Sequence, residues 1–187
     1  MSGENPFFSI ITPCWNRGHL LERVHQSLSA QSFDNFEWIL ANDGSTDDTK
    51  TIAQVLLASN EIKTQYIEAN KRVGKLRIDN AAISRARGKL LLWCDSDDYL
   101  LPDALRTLYE EWADIPVYKQ SSYCGLTAIA STSEGDIFNP LPQLNNLDTT
   151  WNDIFGLYAK NTKNQDMVLC VRTDLMKSNP FPEVDYQ

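Results

Sequence analysis

Strand and helix signals alternate through the first hundred residues, and no other feature constrains the fold as tightly. Phe7-Phe8-Ser9-Ile10-Ile11-Thr12 is a short apolar, β-rich run expected to stop at Pro13. Leu20, Leu21, Val24 and Leu28 then recur at helical spacing. Phe36-Glu37-Trp38-Ile39-Leu40-Ala41 reads as a second strand, closed by the turn-rich Asn42-Asp43-Gly44-Ser45. Ser45-Thr46-Asp47-Asp48 matches a capping box and predicts a helix with Ile52, Val55 and Leu56 on its apolar face. Gln65-Tyr66-Ile67-Glu68 is a third strand. A helix near residues 77–87 leads through Gly88 into Leu90-Leu91-Leu92-Trp93-Cys94, an apolar run typical of a strand buried on both faces. This order predicts an α/β sandwich around a mostly parallel sheet.

Beyond Pro102 the pattern changes. Residues 102–115 read as one helix with Leu105, Leu108 and Trp112 on a face, and residues 121–147 as a loop-rich insertion around one or two strands. A helix around 148–159 and a strand Met167-Val168-Leu169-Cys170-Val171 follow. The chain then stops at Asn179-Pro180-Phe181-Pro182-Glu183 with no helix expected to close it.

A length of 187 residues is enough for one buried core. With 17 basic and 25 acidic side chains the formal charge is −8, which argues against a nucleic-acid partner, because phosphate backbones need a basic surface. Cys14, Cys94, Cys124 and Cys170 lack the paired spacing of a zinc site. Cys94 and Cys170 sit in apolar runs, where a thiol acts as a small hydrophobe; all four are read as reduced and the compartment as cytoplasmic. The start MSGENPFFSIITP has no basic region, and no run reaches the roughly 18 apolar residues of a spanning helix. Any membrane contact is therefore expected to be peripheral, at the inner face.

Ligands of open α/β sheets bind at the carboxyl ends of the strands. Three such ends carry polar clusters here: Pro13-Cys14-Trp15-Asn16-Arg17, Asn42-Asp43-Gly44-Ser45 and Asp95-Ser96-Asp97-Asp98. Three carboxylates within four residues repel one another unless a cation joins them, and oxygen ligands of this kind suit hard divalent ions that share substrate phosphates. Such a metal stabilises the charge on a departing diphosphate. The bland alternative is a solvated acidic turn capping the helix near Pro102. Asp43 either accepts a hydrogen bond from a base or ribose, or simply makes a turn. Trp15 either stacks on a base or packs in the core. Lys75 and Arg77 either offset diphosphate charge or are ordinary surface cations.

Taken in order, Pro13-x-Trp15-Asn16, Asn42-Asp43-Gly44-Ser45-Thr46-Asp47, Gly74-Lys75-x-Arg77-x-x-Asn80 and Asp95-Ser96-Asp97-Asp98 resemble the motifs of family 2 glycosyltransferases. The resemblance covers roughly residues 7–115 and, more loosely, Arg172-Thr173-Asp174 and Phe181-Pro182-Glu183. It implies a GT-A fold, inversion in a single displacement, and an Mg2+ or Mn2+ cofactor. It further implies that Pro13, Trp15 and Asp43 hold the nucleotide base, usually uracil, and that Asn16 belongs to the same nucleotide-sugar site. Lys75 and Asn80 would lie near the nucleotide sugar, Ser96 beside it, and Asp95 and Asp97 would hold ribose and metal. The chain is then one domain, 1–187. Residues 1–115 form the nucleotide-sugar half; residues 116–187 form an acceptor-side half, truncated at its C-terminus.

The expected partners are a nucleotide-diphosphate sugar and a sugar or lipid-linked acceptor, in cell-surface polysaccharide or glycolipid assembly. An inverting transfer needs a carboxylate base; Asp166, Glu183 and Asp185 are candidates by location. The rival readings are a non-catalytic nucleotide-sugar-binding domain or fragment and a sugar nucleotidyltransferase. The latter wants a Gly-rich phosphate loop after the first strand, where Pro13-Cys14-Trp15-Asn16-Arg17-Gly18 has one Gly.

Overall fold

The computed structural model describes residues 5–131 and 167–183. Chain packing defines two compact units, Met1–Leu126 with Cys170–Gln187 and Thr127–Leu169. The described residues of the second unit are little more than the ends of two strands, so the core and the polar clusters belong to the first.

The strands are β1 (Phe8–Cys14), β2 (Phe36–Asn42), β3 (Thr64–Glu68), β4 (Leu90–Trp93), β5 (Gly125–Ile129) and β6 (Met167–Arg172), in sheet order β3-β2-β1-β4-β6-β5. Between them run α1 (Gly18–Ser29), α2 (Thr49–Ala58), α3 (Lys75–Arg85), α4 (Ala104–Asp114) and the one-turn α5 (Val117–Gln120); α6 (Thr173–Ser178) follows β6. The β1–β2, β2–β3 and β1–β4 pairings are parallel and β4–β6 is antiparallel. The mostly parallel sheet expected from the alternation is therefore present.

Two expectations need correction. β1 does not stop at Pro13 but runs to Cys14, with Pro13 opposite Ala41. The Ile11 carbonyl accepts from Cys94 N, so the odd positions of β1 turn their polar groups towards β4. Pairing with β4 has already ended at Ile11, so the N–H that Pro13 lacks is one the ladder does not need. Nor is the end of the described chain without a helix, since α6 forms directly after β6. The helix expected around 148–159 lies outside the described residues.

Side-chain alternation along the strands sorts the core into two layers. Ile11, Ile39, Ala41 and Leu91 pack with Ile78, Ala82, Ile83 and Ala86, which covers one face with α3. On the other face Trp38, fully buried, has its ring centroid 5.9 Å from that of His25 on α1, tilted by 53°, and donates its indole N–H to Thr12 Oγ1 at 2.9 Å. Each fully buried Leu, Ile or Phe of this kind contributes about 1.5–3 kcal/mol.

A polar network crosses the buried edge. Glu37, with no exposed surface, accepts from Ser9 Oγ (2.7 Å), Gln65 Nε2 (2.9 Å), and Arg87 N (2.7 Å), Nε (3.0 Å) and Nη2 (2.6 Å). Burial alone would raise its pKa; the bonds from Arg87, Ser9 and Gln65 outweigh burial and hold it below the ordinary value. Burial also pushes the thiols of Cys14, Cys94 and Cys170 up to about 12. Thiols shifted this far stay protonated near neutral pH.

Candidate functional site

At the end of β1 the chain turns at Asn16, whose φ of 52° is left-handed. Asparagine tolerates that region because its side chain bonds locally. Here Oδ1 accepts from Thr46 N at 2.8 Å, while Asn16 N donates to Ser45 Oγ at 2.9 Å, so the β1 and β2 loops are stitched together. Ser45 is thereby withdrawn from the expected capping box. The helix starts later, with Asp48 at its N-cap and no side-chain cap; Asp47, one residue ahead, accepts from Thr49 N at 3.1 Å and from Gly18 N at 3.3 Å.

This stitching leaves Trp15 standing out. Its 40% exposure removes the core-packing alternative. The Arg72 guanidinium lies 3.7 Å from the ring centroid, a cation–π contact that the order of residues along the chain did not reveal.

Asp43 is 4% exposed. Its Oδ1 accepts from Val73 N at 2.6 Å and its Oδ2 from Gly74 N at 3.0 Å, so the carboxylate clamps the loop that leads into α3. Both flanking glycines are obligatory. A Cβ on Gly44 would lie 2.2 Å from Lys71 C, and Gly74 has φ 95°, open to glycine alone. Asn42 is also buried, donating to Tyr66 Oη at 2.9 Å and accepting from Ser45 N at 3.0 Å.

Beyond β4, Asp98 N bonds Asp95 O at 2.9 Å and closes a tight turn around the 6% exposed Ser96. The turn points two carboxylates outwards, Asp95 with 44% and Asp97 with 56% of its side chain exposed. Each already faces a cation. Lys75 Nζ is 2.8 Å from Asp95 Oδ1, Arg17 Nη1 is 3.0 Å from Asp97 Oδ2, and Arg23 donates to the Asp97 carbonyl. Reachable, oxygen-only and cation-paired, the two side chains fit a hard divalent ion that takes its remaining ligands from water and phosphate. Among the described residues no cluster of three or more His, Cys, Asp or Glu stands ready to hold a metal without such help.

One member of this site was not legible in the sequence. Asp79, one helical turn beyond Lys75, is 2% exposed, its Oδ1 has no hydrogen-bond partner, and its Oδ2 lies 3.8 Å from Lys75 Nζ. Burial pushes its carboxyl up to about 6; Lys75 opposes the shift and Asp95 adds to it. The spacing of four from Lys75 was the available signal.

A carboxyl whose pKa is raised on folding costs no stability while both states are protonated. The cost grows as pH rises from the unfolded value through the folded one, here from about 4 to about 6. Asp79→Asn is therefore expected to stabilise the metal-free protein above pH 6, by at most a few kcal/mol at roughly 1.4 per pKa unit, and by nothing near pH 4. Urea titrations at both pH values check this; an equal difference at the two would assign the effect to packing.

Asn80 and Glu183 meet in an arrangement that was not expected. The Asn80 amide is spent on Phe181, donating to its carbonyl and accepting from its N–H, both at 2.9 Å. This clip lays the segment after α6 on α3, with Phe181 6.1 Å from Trp93 and Glu183 3.9 Å from Arg77 Nε. Asp166 and Asp185 lie outside the described residues. Pro13 is buried within β1, behind the exposed Trp15.

The sequence matches the family model described as Glycosyl transferase family 2 over residues 9–173. The chain belongs to that enzyme family, and its fold is GT-A. Over 106 residues it is 34% identical to the GalNAc(5)-diNAcBac-PP-undecaprenol beta-1,3-glucosyltransferase of Campylobacter jejuni, covering 57% of this chain and 34% of that protein. Over 107 residues it is 34% identical to the chondroitin synthase of Pasteurella multocida, covering 57% of this chain and 11% of that protein. It thus spans about a third or less of the length of these relatives. Among solved structures it resembles S. aureus TarS 1-349 in complex with UDP-GlcNAc, with a TM-score of 0.54 and 27% identity, over 57% of this chain and 31% of that one.

Proposed function

We propose that this chain binds a nucleotide-diphosphate sugar, a UDP-sugar by preference, for inverting transfer to a sugar or lipid-linked acceptor in cell-surface polysaccharide or glycolipid assembly. The observation that carries this reading is the gathering of Trp15, Asp43, Lys75, Asp95 and Asp97 at one sheet edge. The similarity to TarS bound to UDP-GlcNAc supports the donor class. The Campylobacter relative, named for a PP-undecaprenol substrate, supports a lipid-linked acceptor reached by peripheral contact at the inner membrane face. No helix among the described residues is long and apolar enough to cross a membrane.

Each residue has a task that its surroundings allow. The Trp15 ring offers a base a stacking face on which Arg72 already lies. Asp43 Oδ2 has accepted one bond and has capacity for a second, for a base N–H. Lys75 gives one of its three N–H groups to Asp95, leaving donors for a diphosphate. Asp95 and Asp97 would hold Mg2+ or Mn2+, which supplies Lewis-acid stabilisation of the leaving diphosphate. The acceptor oxygen bonds the anomeric carbon as the bond to the diphosphate oxygen breaks, and the acceptor proton passes to a carboxylate base. Glu183, brought against α3 by the Asn80 clip, is the described candidate, with Asp185 beside it in sequence.

Calorimetric titration with UDP-, GDP- and dTDP-sugars, with and without manganese, tests the reading; absence of binding to all three would end it. Trp15→Ala is expected to weaken UDP-sugar binding by about 1–3 kcal/mol, the range for a base stacked on an aromatic ring. Because the ring is exposed, the melting temperature should hardly move. A fall in melting temperature with normal affinity would return Trp15 to a structural role.

A further inference from the structure

At the opposite end of the sheet, where β4 begins and β6 ends, lies a cleft of about 590 Å3. Arg87, Lys89, Arg172 and Lys177 line it against a single carboxylate, Asp174. On a chain with 17 basic and 25 acidic side chains this is a local reversal of sign. Asp174 is taken up by Arg172, at 3.0 Å from Nε, and Arg87 is taken up by Glu37. Lys89 and Lys177 have no carboxylate partner among the described residues.

Lys89 is held in place rather than waving in solvent. Its Nζ donates to Gln120 Oε1 at 2.7 Å, and the Gln120 amide is anchored on the Ile115 carbonyl at 3.0 Å. The ammonium lies 5.5 Å from the Trp112 ring. Two buried groups in the cleft wall, Trp112 Nε1 and Thr173 Oγ1, have no hydrogen-bond partner. An occupant rich in acceptor oxygens suits the four cations that line the cleft.

The rim supplies the second, independent observation. α5 precedes the lining residue Ser121 and contains the lining residue Gln120. It presents Val117 at 83% and Tyr118 at 79% exposure, above Val55 at 66% and Leu101 at 60%. A positioned ammonium in a basic cleft beside an exposed aliphatic–aromatic pair complements a surface that is anionic outside and apolar just beneath. Tyrosine is suited to that boundary, with an apolar body and a polar tip.

We propose that this end of the sheet docks on an anionic phospholipid surface, a headgroup phosphate entering the cleft at Lys89 and Lys177 and the Val117–Tyr118 turn entering the interface. The proposal rests on the reading of peripheral membrane contact and names the surface that makes it. The donor edge then lies at the far end of the seven-residue β1, about 20 Å away.

The test is co-sedimentation of the full chain with phosphatidylcholine vesicles that contain or lack phosphatidylglycerol. The wild type is expected to partition onto the anionic vesicles and to leave them at high salt. Lys89→Ala with Lys177→Ala, and separately Val117→Ser with Tyr118→Ser, should each reduce partitioning about tenfold or more, with UDP affinity unchanged. Equal vesicle binding by the wild type and both variants overturns this surface while leaving membrane contact standing. If the wild type binds no anionic vesicle, membrane contact fails too. Titration with inorganic phosphate supplies the remaining arm: phosphate binding lost in the lysine variant, without vesicle binding, makes the cleft a soluble-anion site and overturns the lipid assignment.

Discussion

Removing divalent cations, or replacing Asp97 by Ala, is expected to reduce affinity for a UDP-sugar by about two orders of magnitude. Asp95 and Asp97 are both accessible, and each is balanced by a single cation in the absence of ligand. A diphosphate brought to this turn adds negative charge to a cluster that already holds three carboxylates within four residues. Lys75 and Arg17 cannot neutralise both sets at once. A metal bridging carboxylate and phosphate is worth several kcal/mol, and each 1.4 kcal/mol is about tenfold in affinity. Calorimetry with EDTA, and with Asp97→Ala in excess manganese, checks the two arms. Equal UDP-sugar affinity with and without chelator would remove the metal from the site.

The second large effect is on folding. Glu37→Ala should cost about 1.5–3 kcal/mol, the range for hydrogen bonds to a charged group, because the Arg87 left behind has 48% of its side chain exposed and can be solvated. The substitution takes the acceptor from the Ser9 hydroxyl and the nearer of two acceptors from the Arg87 backbone N–H, which keeps Ser9 Oγ at 3.1 Å, and it leaves Gln65 on β3 only the Arg85 carbonyl. Because hydrogen bonds hold this carboxyl below its ordinary pKa, its stabilisation is fully present above the unfolded value of about 4.5 and fades as pH falls through the folded one. Urea unfolding at neutral pH, repeated in acid, should show the gap between variant and wild type closing as pH drops. A difference under about 1 kcal/mol at neutral pH would mean that the network only decorates the sheet edge.

Much of the fold was legible because it is written in local pattern. Leu90-Leu91-Leu92 announced a strand buried on both faces, and all three are without exposed surface. The helical spacing of Leu105, Leu108 and Trp112 reappears as the buried stripe of α4. Pro13 misled, because its effect on a strand depends on whether a neighbour still needs its N–H, and that neighbour, β4, is distant in sequence. The capping box misled for a similar reason: Asn16, which the fold brings from another loop, holds Ser45 in the turn, and the helix starts only at Thr49 with Asp48 as its N-cap.

The sequence by itself determined the alternation that makes the parallel sheet and the polar clusters that follow three of its strands. Both depend on residues within a few positions of one another, so period and turn chemistry specify them. Only the tertiary structure decided what those clusters touch. It spent the Asn80 amide on Phe181, set Asp43 on the loop before α3, and drew Arg72 over Trp15. It also sealed Asp79 beside Lys75 with an unpartnered oxygen, and collected Arg87, Lys89, Arg172 and Lys177 in one cleft. Charge and hydrogen bonding act through space over a few ångströms, whereas most of these partners are separated by tens of residues along the chain. Burial of Asp79, too, depends on the packing of α3 against the sheet rather than on its own neighbours in sequence.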